Sequence, residues 1–131
     1  MKKCKATGMD VSYFYFGRTP KNKHRGVITV AYIVDGDGNM KLAFSFCSPS
    51  DRFEKDKGRD LACRRLFYGK TRHKPTGTHV KAAYITSYGE CALDTVIDFF
   101  NQNKDMLRMP FWARDIVLQK ASDYEQEKVI E

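Results

Sequence analysis

The stretch "VITVAYIVDGDGNMKLAFSFC", Val27 to Cys47, constrains the fold of this chain more than any other. Val27 to Val34 and Met40 to Cys47 read as strands, and "DGDGN" between them is a glycine-rich turn, so the stretch is predicted to form a β-hairpin. In its second strand Leu42, Phe44 and Phe46 alternate with Ala43, Ser45 and Cys47. Successive side chains on a strand point to opposite faces, so one face can lie on a core while the other stays small and polar. Asp35, Asp37 and Asn39 imitate the first ligands of a calcium loop. An EF-hand also needs glycine at loop position six and glutamate at twelve, where this chain has Met40 and Phe46, so the turn reading stands.

Around the hairpin, "VSYFYFG" (Val11 to Gly17) and "VKAAYIT" (Val80 to Thr86) read as further strands. A first helix is expected from near Ser48, with Ser48 as cap, Pro49 at the first helical position and Asp51 where a capping-box acid belongs. Its buried side would be Phe53, Leu61, Ala62 and Leu66. Gly58 inside it costs about 1 kcal/mol relative to alanine, which implies that a backbone or a ligand comes close there. Leu93, Val96, Ile97 and Phe100 form an i, i+3, i+4, i+7 stripe within "ECALDTVIDFFNQNK", an amphipathic helix. A last helix starts around Pro110 and carries Phe111, Trp112, Ile116, Val117, Ala121 and Tyr124. Strands, a helix, a strand and then helices make an α+β pattern: an antiparallel β-sheet packed against about three α-helices, in one domain spanning residues 1–131.

With 42% hydrophobic and 13% aromatic residues the chain is not a disordered one. No apolar run approaches the roughly 20 residues that cross a bilayer, and no apolar block follows the basic start, so a soluble, cytoplasmic protein with no membrane partner is expected. The four cysteines, Cys4, Cys47, Cys63 and Cys91, are far apart and expected to be reduced thiols, and no histidine spacing suggests a metal site. No cofactor is expected. A nucleophile elbow, a phosphate loop and a dinucleotide fingerprint are all missing from the sequence, which argues against an enzyme.

Cations are the stronger theme. A net charge of +7 and a pI near 9.3 favour an anionic partner. Arg52, Lys55 and Arg59 share a helical face, but Asp51–Lys55, Asp56–Arg59 and Asp60–Arg64 are spaced for ion pairs, which is the stronger reading for Arg52 and Lys55. Arg59 beside Gly58, and Arg64 and Arg65 leading into Phe67 and Tyr68, fit a ligand better, because aromatic rings next to fixed cations can stack a base while phosphates are paired. Arg25 before Gly26 is a second cationic point. "RMPFWARD" is a third, where Arg108 and Arg114 bracket Phe111 and Trp112; core packing is the competing role for Trp112.

The segments "RGVITVAY" and "FSFCSPSDRFEKDKGRDLACRRL", within residues 25–66, resemble the phage-encoded Thoeris anti-defence family. The resemblance implies a non-enzymatic sponge that binds a cyclic ADP-ribose isomer intact, as a homo-oligomer with sites where protomers meet, in the cytoplasm of an infected host cell. It also implies that cyclic oligonucleotides could be taken up at a separate site. It carries Arg25 and Arg59 over as phosphate-pairing residues, with Arg114 as a third, while Phe67, Tyr68 and Trp112 are stacking candidates by their chemistry alone. Two other classes fit the same charge: a small nucleic-acid-binding regulator, and an inhibitor that binds a host defence protein through its basic surface.

Overall fold

The computed structural model describes residues 2–3, 8, 10–17, 26–48, 54–69, 71–72, 82–89, 91–103 and 112–117. The expected hairpin is its centre: β3 (Val27–Val34) pairs antiparallel with β4 (Asn39–Cys47) in an unbroken register from Val27 opposite Cys47 to Val34 opposite Met40. The turn is closed by Asp35, whose Oδ1 accepts from the backbone N–H groups of Asp37 at 2.9 Å and Asn39 at 3.0 Å. Gly38, at φ +82°, supplies the left-handed backbone that this turn needs. Asp35 is thereby a turn-forming residue, as short acidic side chains often are.

Outside the hairpin lie β2 (Asp10–Phe16), antiparallel to β3, and β6 (Ala83–Ser87), antiparallel to β4. Two-residue strands complete the described sheet: β1 (Lys2–Lys3) beside β2, and β5 (Thr71–Arg72) parallel to β6. The order is β1-β2-β3-β4-β6-β5. Two helices, α1 (Lys55–Tyr68) and α2 (Ala92–Asn103), and a third helical stretch, α3 (112–117), cover it, giving one α+β domain. No described helix is long and apolar enough to cross a membrane.

The alternation decides which helix lies where. Phe16, Ile28, Val30, Met40, Leu42, Phe44 and Tyr84 point to one face, where they meet Val96, Phe99 and Phe100 of α2 and Ala113, Ile116 and Val117 of α3. Phe44 sits among aromatic rings there, its centroid 5.0 Å from that of Phe100 and 6.1 Å from that of Tyr84. Buried aromatic surface of this kind dominates core energetics, and truncating one such ring costs about 3–5 kcal/mol. The opposite face is not left open. Val11, Ala31, Ala43 and Ala83 receive Ala62, Cys63 and Leu66 of α1, so the small side chains serve to let a helix approach closely.

Three expectations change. α1 begins at Lys55 rather than near Ser48, which is not helical, and its preceding residue Glu54 makes no side-chain cap; residues 49–53 lie outside the described residues. Leu61 is 41% exposed, because Ala62, Cys63 and Leu66 occupy the sheet-facing side and Leu61 is turned about 100° from Ala62. Finally, Cys63 is disulfide-bonded whereas Cys47 and Cys91 are free thiols; Cys4 lies outside the described residues. Pairing of cysteines is decided by which of them the fold brings together, so local spacing does not signal it.

Candidate functional site

The strand β2 has two chemically different faces. Phe14 and Phe16 pack toward α2 and α3, while Tyr13 and Tyr15, out of phase by one residue, face α1. Against those two phenols α1 lays its first turns. Lys55 Nζ stands 5.3 Å from the centre of the Tyr15 ring, a cation over an aromatic face. One turn on, Arg59 donates from Nη2 to Asp56 Oδ1 at 2.5 Å, and the Tyr15 phenol lies near the same guanidinium. The Arg59 side chain is 19% exposed and that of Asp56 74%.

Electrostatics at this corner follow from geometry. The Asp56 hydrogen bond raises the pKa of Arg59 against the opposing effect of burial, and Tyr15 adds a smaller upward contribution. Burial raises the pKa of Tyr13 and of Tyr15, and the Arg59 charge works in the other direction on both. Arg59 is therefore a fixed cation among two neutral phenols. Such a group can accept a phosphate through paired N–H donors, beside rings able to cover a base.

Helix α1 is held at this angle by two bonds to β4. Ser45 Oγ donates to the Gly58 carbonyl at 2.8 Å, a bond to the main chain that does not itself require glycine. Arg65 Nη1 donates to the Phe44 carbonyl at 2.8 Å, past the last β4–β6 pair, Leu42 with Tyr84. Burial lowers the pKa of Arg65.

The other sequence candidates are dispersed. Arg64 is 64% exposed and paired with Asp60 at 3.1 Å, and Arg65 is committed to β4, so the adjacent arginines do not act together. Phe67 packs into the α1 side of the core, and Tyr68 is 69% exposed at the end of the helix. Trp112 packs edge-on to Phe46, with centroids 6.3 Å apart, and lies against Gly26. It walls the α2 side of the core, with Arg114 two residues on in α3, so both sit across the sheet from Arg59. Arg25 and Arg52 lie outside the described residues. Of the sequence candidates, Arg59 is the one that the fold places beside further aromatic and cationic side chains, those of Tyr13, Tyr15 and Lys55. The alternation in "VSYFYF" was the signal that could have found the two tyrosines.

Comparison of the chain with protein-family models, with curated proteins and with solved structures finds no match, so the site is read from its own chemistry.

Proposed function

We propose that this chain is a non-catalytic binder that holds a phosphate-bearing nucleotide at the corner between α1 and β2. The observation that supports this reading is the setting of Arg59, a half-buried side chain whose guanidinium is paired with Asp56 beside the phenols of Tyr13 and Tyr15, with Lys55 over the Tyr15 ring. Phosphate oxygens would take up Arg59 and Lys55, and a ring of the ligand would lie against the tyrosines. The Thoeris resemblance makes a cyclic ADP-ribose-type signal the first ligand to test, with cyclic oligonucleotides second, and a phage counter-defence sponge the biological role. One corner offers two cations on one edge of a helix, so enclosing a dinucleotide takes a second copy, in keeping with the homo-oligomer that the resemblance implies.

The test is to incubate the purified protein with cyclic ADP-ribose isomers and cyclic oligonucleotides, remove free ligand, denature the protein and identify what is released. Unmodified nucleotide supports the reading. A cleaved product would make the chain an enzyme, and no recovered nucleotide would leave the proposal without a ligand. Affinity measured against salt separates the nucleic-acid regulator, because neutralising many phosphates gives a steep log–log slope and two cations give a shallow one.

A further inference from the structure

We infer that Asp56 sets the charge preference of the α1–β2 corner, biasing it toward a phosphate with one negative charge, as within a diester or pyrophosphate linkage, and against a terminal phosphate with two. The inference rests on the proposed nucleotide reading and names the class of phosphate that the corner takes. It starts from a count of charges. Among the described residues of α1, Lys57 is paired with Glu54 at 2.9 Å and Arg64 with Asp60 at 3.1 Å, so each pair is close to neutral at a distance. Arg65 is turned to the Phe44 carbonyl of β4. What remains beside Tyr13 and Tyr15 is Lys55, Arg59 and Asp56, two cations and one anion.

The position of Asp56 makes this anion hard for a ligand to avoid. Its carboxylate holds the Arg59 guanidinium, and its charge reaches Tyr15, where it adds to the effect of burial in raising the phenol pKa. Asp56 stands one helical turn before Arg59, so it stays next to any phosphate on Arg59 even where that phosphate takes over the direct bond. The Coulomb energy of a ligand beside a fixed charge is proportional to the ligand's own charge. Asp56 therefore opposes a dianion twice as strongly as a monoanion, and its effect on the binding constant is squared. A terminal phosphate carries close to two charges above its second pKa of about 6, whereas a phosphodiester carries one. Building repulsion against the unwanted ligand is a general route to specificity. Asp56 also lies in the first turn of α1, where an acid favours the helix dipole, but that role alone is blind to the charge on a ligand.

The experiment compares two probes that share a base and a sugar and differ by one charge, adenosine 5′-monophosphate and its methyl ester, by equilibrium dialysis at about pH 8 and equal ionic strength. Asp56→Asn should strengthen binding of the methyl ester about two- to threefold and of the monophosphate by about the square of that factor, roughly four- to ninefold. Asp56→Glu keeps the charge and should keep the wild-type ratio between the probes. Added salt should narrow the difference that Asp56→Asn makes. Asp56 is exposed, so both variants are expected to fold, and thermal unfolding checks this. Equal gains for the two probes in Asp56→Asn, or no gain for either, would overturn the inference and leave the nucleotide reading in place. Failure of both probes to bind the wild-type chain and Asp56→Asn at millimolar concentration would overturn that reading and the inference together.

Discussion

Arg65 reaches from α1 to donate to the backbone carbonyl of Phe44 at 2.8 Å, joining the helix to the central strand just past the point where pairing with β6 stops. One of the most conspicuous cations in the sequence is therefore part of the scaffold. Replacing Arg65 with methionine leaves that part-buried carbonyl without its donor, at an expected cost of about 1–3 kcal/mol. Chemical denaturation should show the lower stability, and nucleotide capture by the protein that remains folded should be nearly unchanged. A loss of capture with no loss of stability would move Arg65 into the site.

Arg59 should behave in the opposite way. Arg59→Ala removes the fixed cation at the α1–β2 corner, and capture is expected to weaken roughly 10- to 100-fold, the range for a lost hydrogen bond to a charged group, with little change in Tm. Asp56→Asn removes an exposed carboxylate that competes with phosphate for the same guanidinium, so capture should strengthen a few-fold. Equilibrium dialysis with labelled nucleotide reads both, and Arg64→Ala, which removes the same charge at an exposed position, should leave capture nearly unchanged and so separates direct pairing at Arg59 from a general effect of net charge.

The glycines at the end of the sheet make a steric prediction. A Cβ on Gly26 would run into the ring of Trp112 and stand 2.8 Å from the Cys47 carbonyl, so Gly26→Ala should destabilise by about 1–3 kcal/mol, the usual cost of overpacking. Adding Trp112→Leu should recover part of this loss, since it relieves the ring and leaves the carbonyl contact in place. Gly36→Ala, where a Cβ meets nothing within 4 Å, should be close to neutral on steric grounds.

Much of this arrangement was legible from alternation, and the parts that were not share a cause. The strands β3 and β4 follow from a two-residue period and a turn sequence, both local properties. The start of α1 did not: Ser48 and Pro49 carry the residue types of a helix start, while the helix begins at Lys55, after the chain has left β4. Arg64 and Arg65 look like a pair in sequence, yet neighbours on a helix diverge by about 100°, and one faces solvent while the other meets β4. Which face of β2 would receive a helix bearing Arg59 is a long-range fact, so Tyr13 and Tyr15 emerged only from the structure. The covering of the small face of β4, through Ala43 and Ser45, has the same origin.

Stability should fall on the alkaline side. Burial raises the pKa values of Tyr13, Tyr15 and Tyr32 above the ordinary tyrosine value of about 10. Above that pH the unfolded chain releases these protons before the folded one does, so it binds fewer protons and is favoured as pH rises. The contribution of the three phenols is complete below pH about 10 and is lost as pH climbs through their folded values. Denaturant midpoints compared at pH 8.5 and pH 11 should show the drop, and Tyr32→Phe should make it smaller. An equal drop in that variant would assign the effect to other groups.

The most direct test of the central claim is hydrogen exchange of the α1–β2 corner with and without a saturating cyclic ADP-ribose-type nucleotide. The account predicts slower exchange in the first turns of α1, around Lys55 to Arg59, and in β2 from Tyr13 to Phe16, with this protection absent in Arg59→Ala. Protection confined to α3 and its surroundings, or no change anywhere at a nucleotide concentration well above that used in the capture assay, would contradict it.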